Sequence, residues 1–297
     1  MNAVILVNPD SGTAGDDAGD RVGGALDRAG IAGKVELVRG GEIARRARAA
    51  VAEGAGLVIA AGGDGTVSAV AGALAGTDTA LGLLPLGTRN HFARDLGISF
   101  DLDEAAAVIA AGHRARIDVA RLNGRLFVHN SAVGLYPLFV ADREGQQRLG
   151  RSKRLAMFVA GLRTLARFRH HRLTLTVDAG HSATMETPLL FVGNNDYRLD
   201  LGGPGRRETI RDGRLCVIVM RRMGRAAFFA ALLRALAGRR RPGDMIKLDD
   251  VRSLTVASRR SHLTVSSDGE TCRLAPPLDF RIEPGALRVI APDSAEH

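Results

Sequence analysis

The sequence has no tryptophan, two tyrosines and two cysteines, and aromatic residues make up 4% of its 297 positions. Cys216 and Cys272 are too few for a disulfide framework and lack the spacing of a metal site, so we expect two buried thiols. No apolar run approaches the ~20 residues that cross a bilayer. No basic, cleavable leader precedes the first strand-like segment. These absences predict a cytoplasmic globular protein.

Charge is distributed unevenly along the chain. Residues 1–120 carry 11 basic and 15 acidic groups, a net charge of −4, whereas residues 121–297 carry 30 and 17, a net charge of +13. This asymmetry indicates that the second half faces an anionic partner. Nucleic acid is one candidate, but it is not the predicted partner, because aromatic residues are scarce and no helix-turn-helix, zinc-finger or RNP pattern is present. An anionic membrane surface, bound peripherally, is the predicted partner.

Strand and helix signals alternate over residues 1–118, which is the pattern of a parallel sheet with crossover helices. The predicted strands are Ala3–Val7, Lys34–Val38, Leu57–Ala61 and Leu81–Leu84. The predicted helices lie near Asp16–Ala29, Glu42–Glu53, Thr66–Leu74, Thr88–Asp95 and Asp101–Ala111.

From residue 119 onward the pattern changes to short strands. An Asn123-Gly124 pair between apolar runs predicts a hairpin turn. The remaining predicted strands are Leu173–Val177, Pro188–Val192, Leu215–Met220, Ser253–Val256, Leu263–Ser266, Leu278–Ile282 and Leu287–Ile290. This half is therefore predicted to be an antiparallel β-domain.

The segment Gly62-Gly63-Asp64-Gly65-Thr66 directly follows an apolar strand and precedes a helix. A strand that breaks into glycines and then starts a helix presents backbone N–H groups at the positive end of the helix dipole, which favours a bound anion. Asp64 adds a carboxylate where a nucleotide-bound magnesium could sit, and Thr66 adds a hydroxyl donor. The alternative is a loop that only turns the strand into the helix.

A second strand, Leu81–Leu84, leads into Gly87-Thr88-Arg89-Asn90-His91-Phe92-Ala93-Arg94. Neighbouring parallel strands end at the same edge of a sheet, and ligands of open α/β folds bind there. The two glycine-threonine segments are therefore predicted to form one crevice.

These segments resemble the catalytic domain of the diacylglycerol kinase family, which also includes sphingosine and ceramide kinases and soluble bacterial lipid kinases. That family carries Gly-Gly-Asp-Gly-Thr and then Gly-Thr-x-Asn-Asp-Phe-Ala-Arg, so His91 stands here in place of the usual Asp. The further matching segments, in order, are Asn8–Gly12, Gly193–Asn195, Asp212–Leu215 and Asp268–Glu270.

The resemblance implies the fold of both halves. Residues 1–118 would form an α/β domain with a parallel sheet, of the NAD kinase and diacylglycerol kinase type, completed by a C-terminal strand within 286–297. Residues 119–285 would form an antiparallel β-sandwich with inserted helices, which serves as the lipid-substrate domain. The crevice would lie between the domains, whose closure would exclude water.

The resemblance also implies an ATP-dependent kinase acting on a lipid alcohol such as diacylglycerol. Phosphoryl transfer requires mainly positioning and charge neutralisation. Asp64 would lie in or beside the coordination shell of a Mg²⁺ ion that bridges the phosphates. The other residues implied to bind ATP are Asn8, Gly62, Gly63, Gly65, Thr66, Gly87, Thr88 and Asn90.

Glu270 is the favoured catalytic base on this resemblance, although the assignment could be shared with Asp64 or exchanged for it. Without the other motifs, the segment Asp268–Glu270 would be a plain turn. In the family a matching Asp holds a structural magnesium with neighbouring carbonyls. That implies a second ion at Asp212 with the carbonyls of Thr209 and Arg214, although Asp212 could also only form a turn.

Two amphipathic segments, 153–168 and 225–237, are predicted helices with dense arginine flanks, including Arg239–Arg241. Their apolar faces fit a protein core or a membrane surface equally well. Lys153 matches a position that contacts nucleotide phosphates in some relatives, although a solvated basic face is the simpler interpretation. A homodimer is kept as a further candidate partner.

Two other functions stay open. A nicotinamide-dinucleotide kinase would also use Gly-Gly-Asp-Gly-Thr, but it needs an Asn-Glu pair and a different second loop, so the segment from Gly87 to Asp95 argues against it. A catalytically silent lipid- or nucleotide-binding module is compatible with His91, but the intact Asp64 and Glu270 argue against it.

Overall fold

The computed structural model describes residues 2–12, 14–15, 17–135, 169–198, 206–207, 209–221, 224, 227 and 245–293. The predicted segment 153–168, with Lys153, lies outside the described residues, and so do Arg239–Arg241 and the segment 225–237 except residue 227. The chain divides into two compact units. Unit 1 comprises Met1–Val119 and Glu283–His297, and unit 2 comprises Ala120–Ile282.

Unit 1 alternates strands with helices, as the sequence predicts. Its elements are β1 (Ala3–Val7), α1 (Ala18–Arg28), β2 (Lys34–Leu37), α2 (Gly40–Ala52), β3 (Leu57–Gly62), α3 (Asp64–Leu74), β4 (Ala80–Pro85), α4 (His91–Asp95), α5 (Leu102–Ala111) and most of β5 (Arg114–Leu122). The strands lie in the order β2-β1-β3-β4, and all of these pairs are parallel. Every residue of β1, β3 and β4 is buried. Such uniform burial is typical of central parallel strands that are covered on both faces by helices.

Unit 2 is built from antiparallel strands. They are β6 (Arg125–Phe127), β7 (Asn130–Gly134), β8 (His171–Val177), β9 (Ser182–Thr187), β10 (Leu189–Asn194), β11 (Tyr197–Arg198), β12 (Arg206–Arg207), β13 (Leu215–Met220), β14 (Met245–Val251), β15 (Ser253–Ser258), β16 (Leu263–Ser267), β17 (Glu270–Leu274) and the first part of β18 (Leu278–Ile290). One sheet has the order β14-β13-β10-β7-β16-β17. In the other, β18, β15, β8 and β9 are neighbours in that order. Strands β11 and β12 form a separate two-stranded ribbon.

The core of unit 2 combines side chains from both sheets. Leu173, Val256 and Phe280 come from one sheet, and Val192 and Val217 come from the other, and all five are buried in a single apolar cluster. Two antiparallel sheets that share one core form a β-sandwich. The predicted fold class is therefore confirmed.

Several element boundaries were predicted wrongly. The two strands predicted at Leu278–Ile282 and Leu287–Ile290 are one strand, β18, because pairing with β5 and β4 carries it through Pro284-Gly285. The Asp118 carboxylate accepts a hydrogen bond of 2.8 Å from Gly285 N, which ties this segment to β5 although Gly285 has a φ of 60°. Helix α3 begins at Asp64, two residues earlier than predicted. Strands β9 and β14 were missed because most of their residues are exposed or only partly buried, so neither has a continuous apolar run.

The cysteine prediction is half right. Both thiols are free, and Cys216 is buried, whereas Cys272 is only partly buried because it lies on β17 at the edge of its sheet. Within the described residues, no helix combines the length and the apolar character needed to cross a membrane.

Candidate active site

Two loops of unit 1 are joined by side-chain hydrogen bonds. Asn8, which follows β1, donates from Nδ2 to Thr66 Oγ1 over 3.0 Å. Ser11 Oγ accepts from Gly63 N over 3.2 Å and lies 3.5 Å from Thr66 Oγ1. The predicted segments 8–12 and 62–66 therefore form one network. Ser11 belongs to a predicted motif but was not among the predicted site residues.

A third loop, which follows β4, packs against the second at Gly87. A Cβ placed on Gly87 would lie 2.5 Å from Gly63 Cα, so this approach requires glycine. Asn90 also holds this loop in place, through two hydrogen bonds to Gly87. Its Oδ1 accepts from Gly87 N over 3.0 Å, and its Nδ2 donates to Gly87 O over 2.8 Å. Asn90 also adopts the left-handed conformation, with φ 46°, a region that asparagine enters more readily than most residues.

The first turn of α3 presents the predicted phosphate-binding backbone. Gly63 caps the helix, and Asp64, Gly65 and Thr66 form its first turn, where free amides and the helix dipole favour an anion. Gly65 is exposed, with no atom within 4 Å of an added Cβ, and Thr88 is exposed as well. The enclosed cavity behind the loops measures about 10 Å³, room for roughly one water molecule. A phosphate would therefore have to approach from the open side.

Thr66 and Gly62 lie behind that open side. Thr66 is 4% exposed, and its hydroxyl accepts the hydrogen bond from Asn8. Gly62 is buried at the end of β3, and a Cβ there would collide with Thr66. These two residues shape the loop from within, and a direct contact of the Thr66 hydroxyl with phosphate stays a prediction.

Asp64 connects α3 to α4. The side chain is half-buried, and its Oδ1 accepts a hydrogen bond of 3.2 Å from Phe92 N in the first turn of α4. His91, which stands where the family has Asp, is half-buried and is the first residue of α4. The carboxylate of Asp64 thus has a structural contact in addition to its predicted role at magnesium.

In unit 2, Asp268 and Gly269 form the tight turn between β16 and β17, with φ values of 47° and 87°. Positive φ at both central residues is the type I′ hairpin geometry. The Asp268 carboxylate accepts from Val128 N and His129 N, each over 2.8 Å, and from Asn130 N over 3.3 Å. The turn is therefore fixed to residues 128–130.

The carbonyls of the same segment are also bound. Val128 O accepts from Asn194 Nδ2 over 3.0 Å and from Arg207 over 2.7 Å, and His129 O accepts from Tyr197 Oη over 2.9 Å. Nothing in the local sequence around Tyr197 or Arg207 indicates these contacts, because both partners are distant along the chain.

Glu270 follows the turn and is accessible. Its side chain is 65% exposed and forms an ion pair of 2.5 Å with Arg125 on β6. A carboxylate in this position can receive a proton from a molecule in solution. The guanidinium of Arg125 orients the Glu270 carboxylate.

Asp212 lies in a loop organised by the buried Asn195. Asn195 Oδ1 accepts from Asp212 N over 3.0 Å, and Asn195 N donates to Arg214 O over 3.1 Å. Asp212 Oδ2 is buried and makes no hydrogen bond, although the Arg214 guanidinium lies 3.9 Å away. The hydroxyl of Thr209 accepts from Arg211 N over 3.1 Å. A buried carboxylate oxygen without a hydrogen bond suits a hard cation such as Mg²⁺.

Over the described ranges, no three acidic, histidine or cysteine side chains are grouped as metal ligands. An ion at Asp212 would therefore depend on backbone carbonyls and water. Close by, burial acts to raise the pKa of Asp196, but the hydrogen bond and charge of Lys247, together with the hydrogen bond from Tyr197 N, lower it below its ordinary value. Burial raises the pKa of the Cys216 thiol to about 11, which makes it unreactive.

A wider cavity of about 240 Å³ lies in unit 1 between α1 and α5. Its lining includes Arg28 and Asp103, which form an ion pair of 2.5 Å. None of the predicted site residues lines this cavity.

The parallel strands of unit 1 end in a cluster of glycine-lined loops, and the chain continues into an antiparallel sandwich. This combination defines a class of two-domain proteins with an open α/β sheet. Comparison with known proteins identifies the family within this class. The model of the diacylglycerol kinase catalytic domain matches residues 2–122. The model of the YegS C-terminal NAD kinase beta sandwich-like domain matches residues 139–291.

Individual relatives agree with the family models. A diacylglycerol kinase of Mycobacterium tuberculosis is 32% identical over 258 residues, 82% of this chain and 79% of that protein. A probable YegS-like lipid kinase of Cronobacter sakazakii is 44% identical over 98 residues, a match that spans 33% of its length. The structure of a putative diacylglycerol kinase from Bacillus anthracis has a TM-score of 0.77 at 23% identity, with 99% of this chain and 98% of that chain covered, and shows a shared fold. The chain belongs to the diacylglycerol kinase family, which includes the YegS-like lipid kinases.

Proposed function

We propose that the protein transfers the γ-phosphoryl group of ATP to the hydroxyl of a lipid alcohol, most simply a diacylglycerol. The observation that carries the proposal is the approach of Gly63 and Gly87 beside the first turn of α3. It places two sets of backbone amides at one helix N-terminus, with Gly65 and Thr88 on the accessible side. Electrostatic stabilisation by such preorganised donors is what phosphoryl transfer requires of a protein.

Each residue of the candidate site in unit 1 has a role in this proposal. Gly63, Gly65, Gly87 and Thr88 would contact the phosphates, and Asp64 would hold the Mg²⁺ ion that neutralises them. A second set would maintain the loops in the binding geometry; its members are Asn8, Ser11, Gly62, Thr66 and Asn90.

Glu270 is proposed as the general base that accepts the proton of the attacking hydroxyl. Its exposed carboxylate is adjacent to a turn that Asp268 fixes to three backbone amides, so its backbone position is well defined. Arg125 would orient the carboxylate. Asp64 stays the competing candidate for the base, since it is also a carboxylate beside the proposed phosphate site.

Mg²⁺ is proposed at a second, structural position as well. The buried oxygen of Asp212 would be one ligand, together with the carbonyls of Thr209 and Arg214. When bound there, the ion would neutralise a carboxylate that the fold otherwise leaves without a hydrogen bond.

The proposed setting is the cytoplasmic face of a membrane, where the protein binds peripherally. The net charge of +13 over residues 121–297 supports attraction to an anionic leaflet. The lipid acceptor would be collected from that leaflet.

The test is transfer of radiolabel from γ-labelled ATP to a panel of lipid alcohols in mixed micelles, run beside a soluble nicotinamide dinucleotide. Label in a lipid phosphate, abolished in Asp64→Asn, is the expected result. Label in the dinucleotide instead would show that the chain is a dinucleotide kinase. Binding of ATP or lipid without any transfer would show a silent binding module.

A further inference from the structure

Basic side chains gather at one end of unit 2, at the start of β8 and in the turn between β15 and β16. Together they form the basic cluster, which consists of Arg169, His170, His171, Arg172, Arg259, Arg260 and His262. Strands β8 and β15 are antiparallel, with Leu173 paired to Ser258, so the start of β8 lies beside the turn that follows β15. Arg260 and His170 both act electrostatically on His171, which places the charges of the two segments within interaction range.

The cluster is accessible and contains no acidic residue. All four arginines and His262 are exposed, and the other two histidines are half-buried. The strand register places Glu186 of β9 opposite Arg172, so one acidic group adjoins a cluster with four arginines.

Some basic residues elsewhere in the described part of the chain are paired with acids. Arg46 binds Glu36 over 2.5 Å, and Lys247 binds Asp196 over 2.5 Å. In the portion of the chain that the structure describes, no salt bridge involves Arg169, Arg172, Arg259 or Arg260. Their charges are therefore available to an external partner.

We propose that the basic cluster is the surface through which this protein docks on the anionic headgroups of a phospholipid bilayer. The inference rests on the proposed function and deepens it, because an enzyme that phosphorylates a bilayer lipid must hold the leaflet. Exposed arginines without acidic partners complement a leaflet of negative charge. Nucleic acid fits less well, because residues 169–173 and 258–263 contain no phenylalanine, tyrosine or tryptophan, the large rings of base-stacking platforms.

The experiment measures binding of the full chain to vesicles of phosphatidylcholine, with and without phosphatidylglycerol, at low and high salt. The test variant is Arg259→Gln/Arg260→Gln. The matched control is Arg252→Gln/Arg281→Gln, which removes two exposed arginines at the other end of β15, where Ser253 pairs with Arg281. Each basic residue at an anionic leaflet changes affinity by about fivefold. We therefore expect the test variant to bind anionic vesicles at least about tenfold more weakly than the wild type, with the control within about twofold.

Equal losses in the two variants, or binding that ignores phosphatidylglycerol, would overturn the proposal. Binding of the wild type to heparin or RNA but not to vesicles would overturn it in favour of another polyanion. Thermal melting of each variant checks that the fold is intact.

A kinase assay with a short-chain, water-soluble diacylglycerol separates this proposal from the proposed function. The test variant should keep wild-type turnover there, because no membrane is involved. Cluster-dependent vesicle binding by a chain without kinase activity would leave the surface standing and remove the function. Kinase activity together with vesicle binding that does not depend on the basic cluster would support the function and overturn the proposed surface.

Discussion

Gly63 and Gly87 approach so closely that a Cβ on Gly87 would lie 2.5 Å from the Cα of Gly63. The two residues lie in the loops that directly follow neighbouring parallel strands, β3 and β4. Their contact makes one surface of two loops, which are separated in the sequence by helix α3.

Gly87→Ala should therefore be severe. The added methyl group must push the two loops apart, which displaces the amides that we propose contact phosphate. We expect a loss of at least about hundredfold in kcat/KM for ATP, equivalent to about 2.7 kcal/mol, together with a lowered Tm. The control is Gly23→Ala in α1, where an added Cβ meets no atom within 4 Å and should stabilise the helix by up to about 1 kcal/mol. Full activity in Gly87→Ala would show that the contact between Gly63 and Gly87 is not needed for ATP binding or turnover.

Asp64 allows catalytic and structural roles to be separated by two substitutions. Asp64→Asn keeps an oxygen that can accept from Phe92 N but removes the charge, so activity should fall by about hundredfold or more with Tm nearly unchanged. Asp64→Ala also removes the acceptor from the first turn of α4, which should cost a further ~0.5–2 kcal/mol of stability. If Asp64→Asn is as active as the wild type, Asp64 does not hold a catalytic metal.

The sequence predicts unit 1 well because its signals are local. Three central strands are apolar at nearly every position, and the motifs that follow them lie at the strand ends. The role of Thr66 depends on its contact with Asn8, 58 positions away, and Gly87 packs against Gly63 on the far side of helix α3 in the sequence. Such contacts have no periodicity or spacing that could be recognised before folding.

Unit 2 shows the same limit more clearly. The Asn123-Gly124 hairpin was predicted from two residues, and both adopt the expected positive φ, 48° and 81°. In contrast, the segment 128–130 is fixed by Asp268, Asn194, Tyr197 and Arg207, which lie more than 60 positions away. The edge strands β9 and β14 were not predicted, because strands are continuously apolar only where both of their faces are covered.

Glu270→Gln tests the proposed base. Loss of a general base lowers kcat by roughly 10²–10⁴-fold, whereas an exposed ion pair contributes only about 0–1 kcal/mol to stability, so Tm should hardly change. Asp249→Asn removes another exposed acid of unit 2 and should leave kcat unaltered. If Glu270→Gln retains kcat, Glu270 is not the base.

Binding of the proposed structural Mg²⁺ should be detectable as a change in thermal stability, without an activity assay. Wild-type Tm should rise with Mg²⁺ and fall with EDTA, and an ion present at a hundred times its Kd would stabilise by about 2.7 kcal/mol. Asp212→Asn should abolish that response. Asp250→Asn is the matched control, since Asp250 is an exposed acid in contact with the same Arg214. Equal responses to Mg²⁺ in both variants would exclude Asp212 as a ligand.

His171 should make the fold sensitive to acid. Burial, and then the nearby Arg260 and His170, lower the pKa of His171 from 6.5 to about 4. Between these two values the unfolded chain binds a proton that the folded chain does not, so stability falls as the pH drops from 6.5 towards 4. The loss attributable to this residue by pH 5 should be on the order of 1–2 kcal/mol.

His171→Gln removes this titration, so the Tm of that variant should decline less between pH 7 and pH 5 than the Tm of the wild type. His181→Gln, at an exposed position just before β9, is the control and should follow the wild-type curve. If His171→Gln and the wild type lose the same Tm over this range, protonation of His171 is not what destabilises the fold in acid.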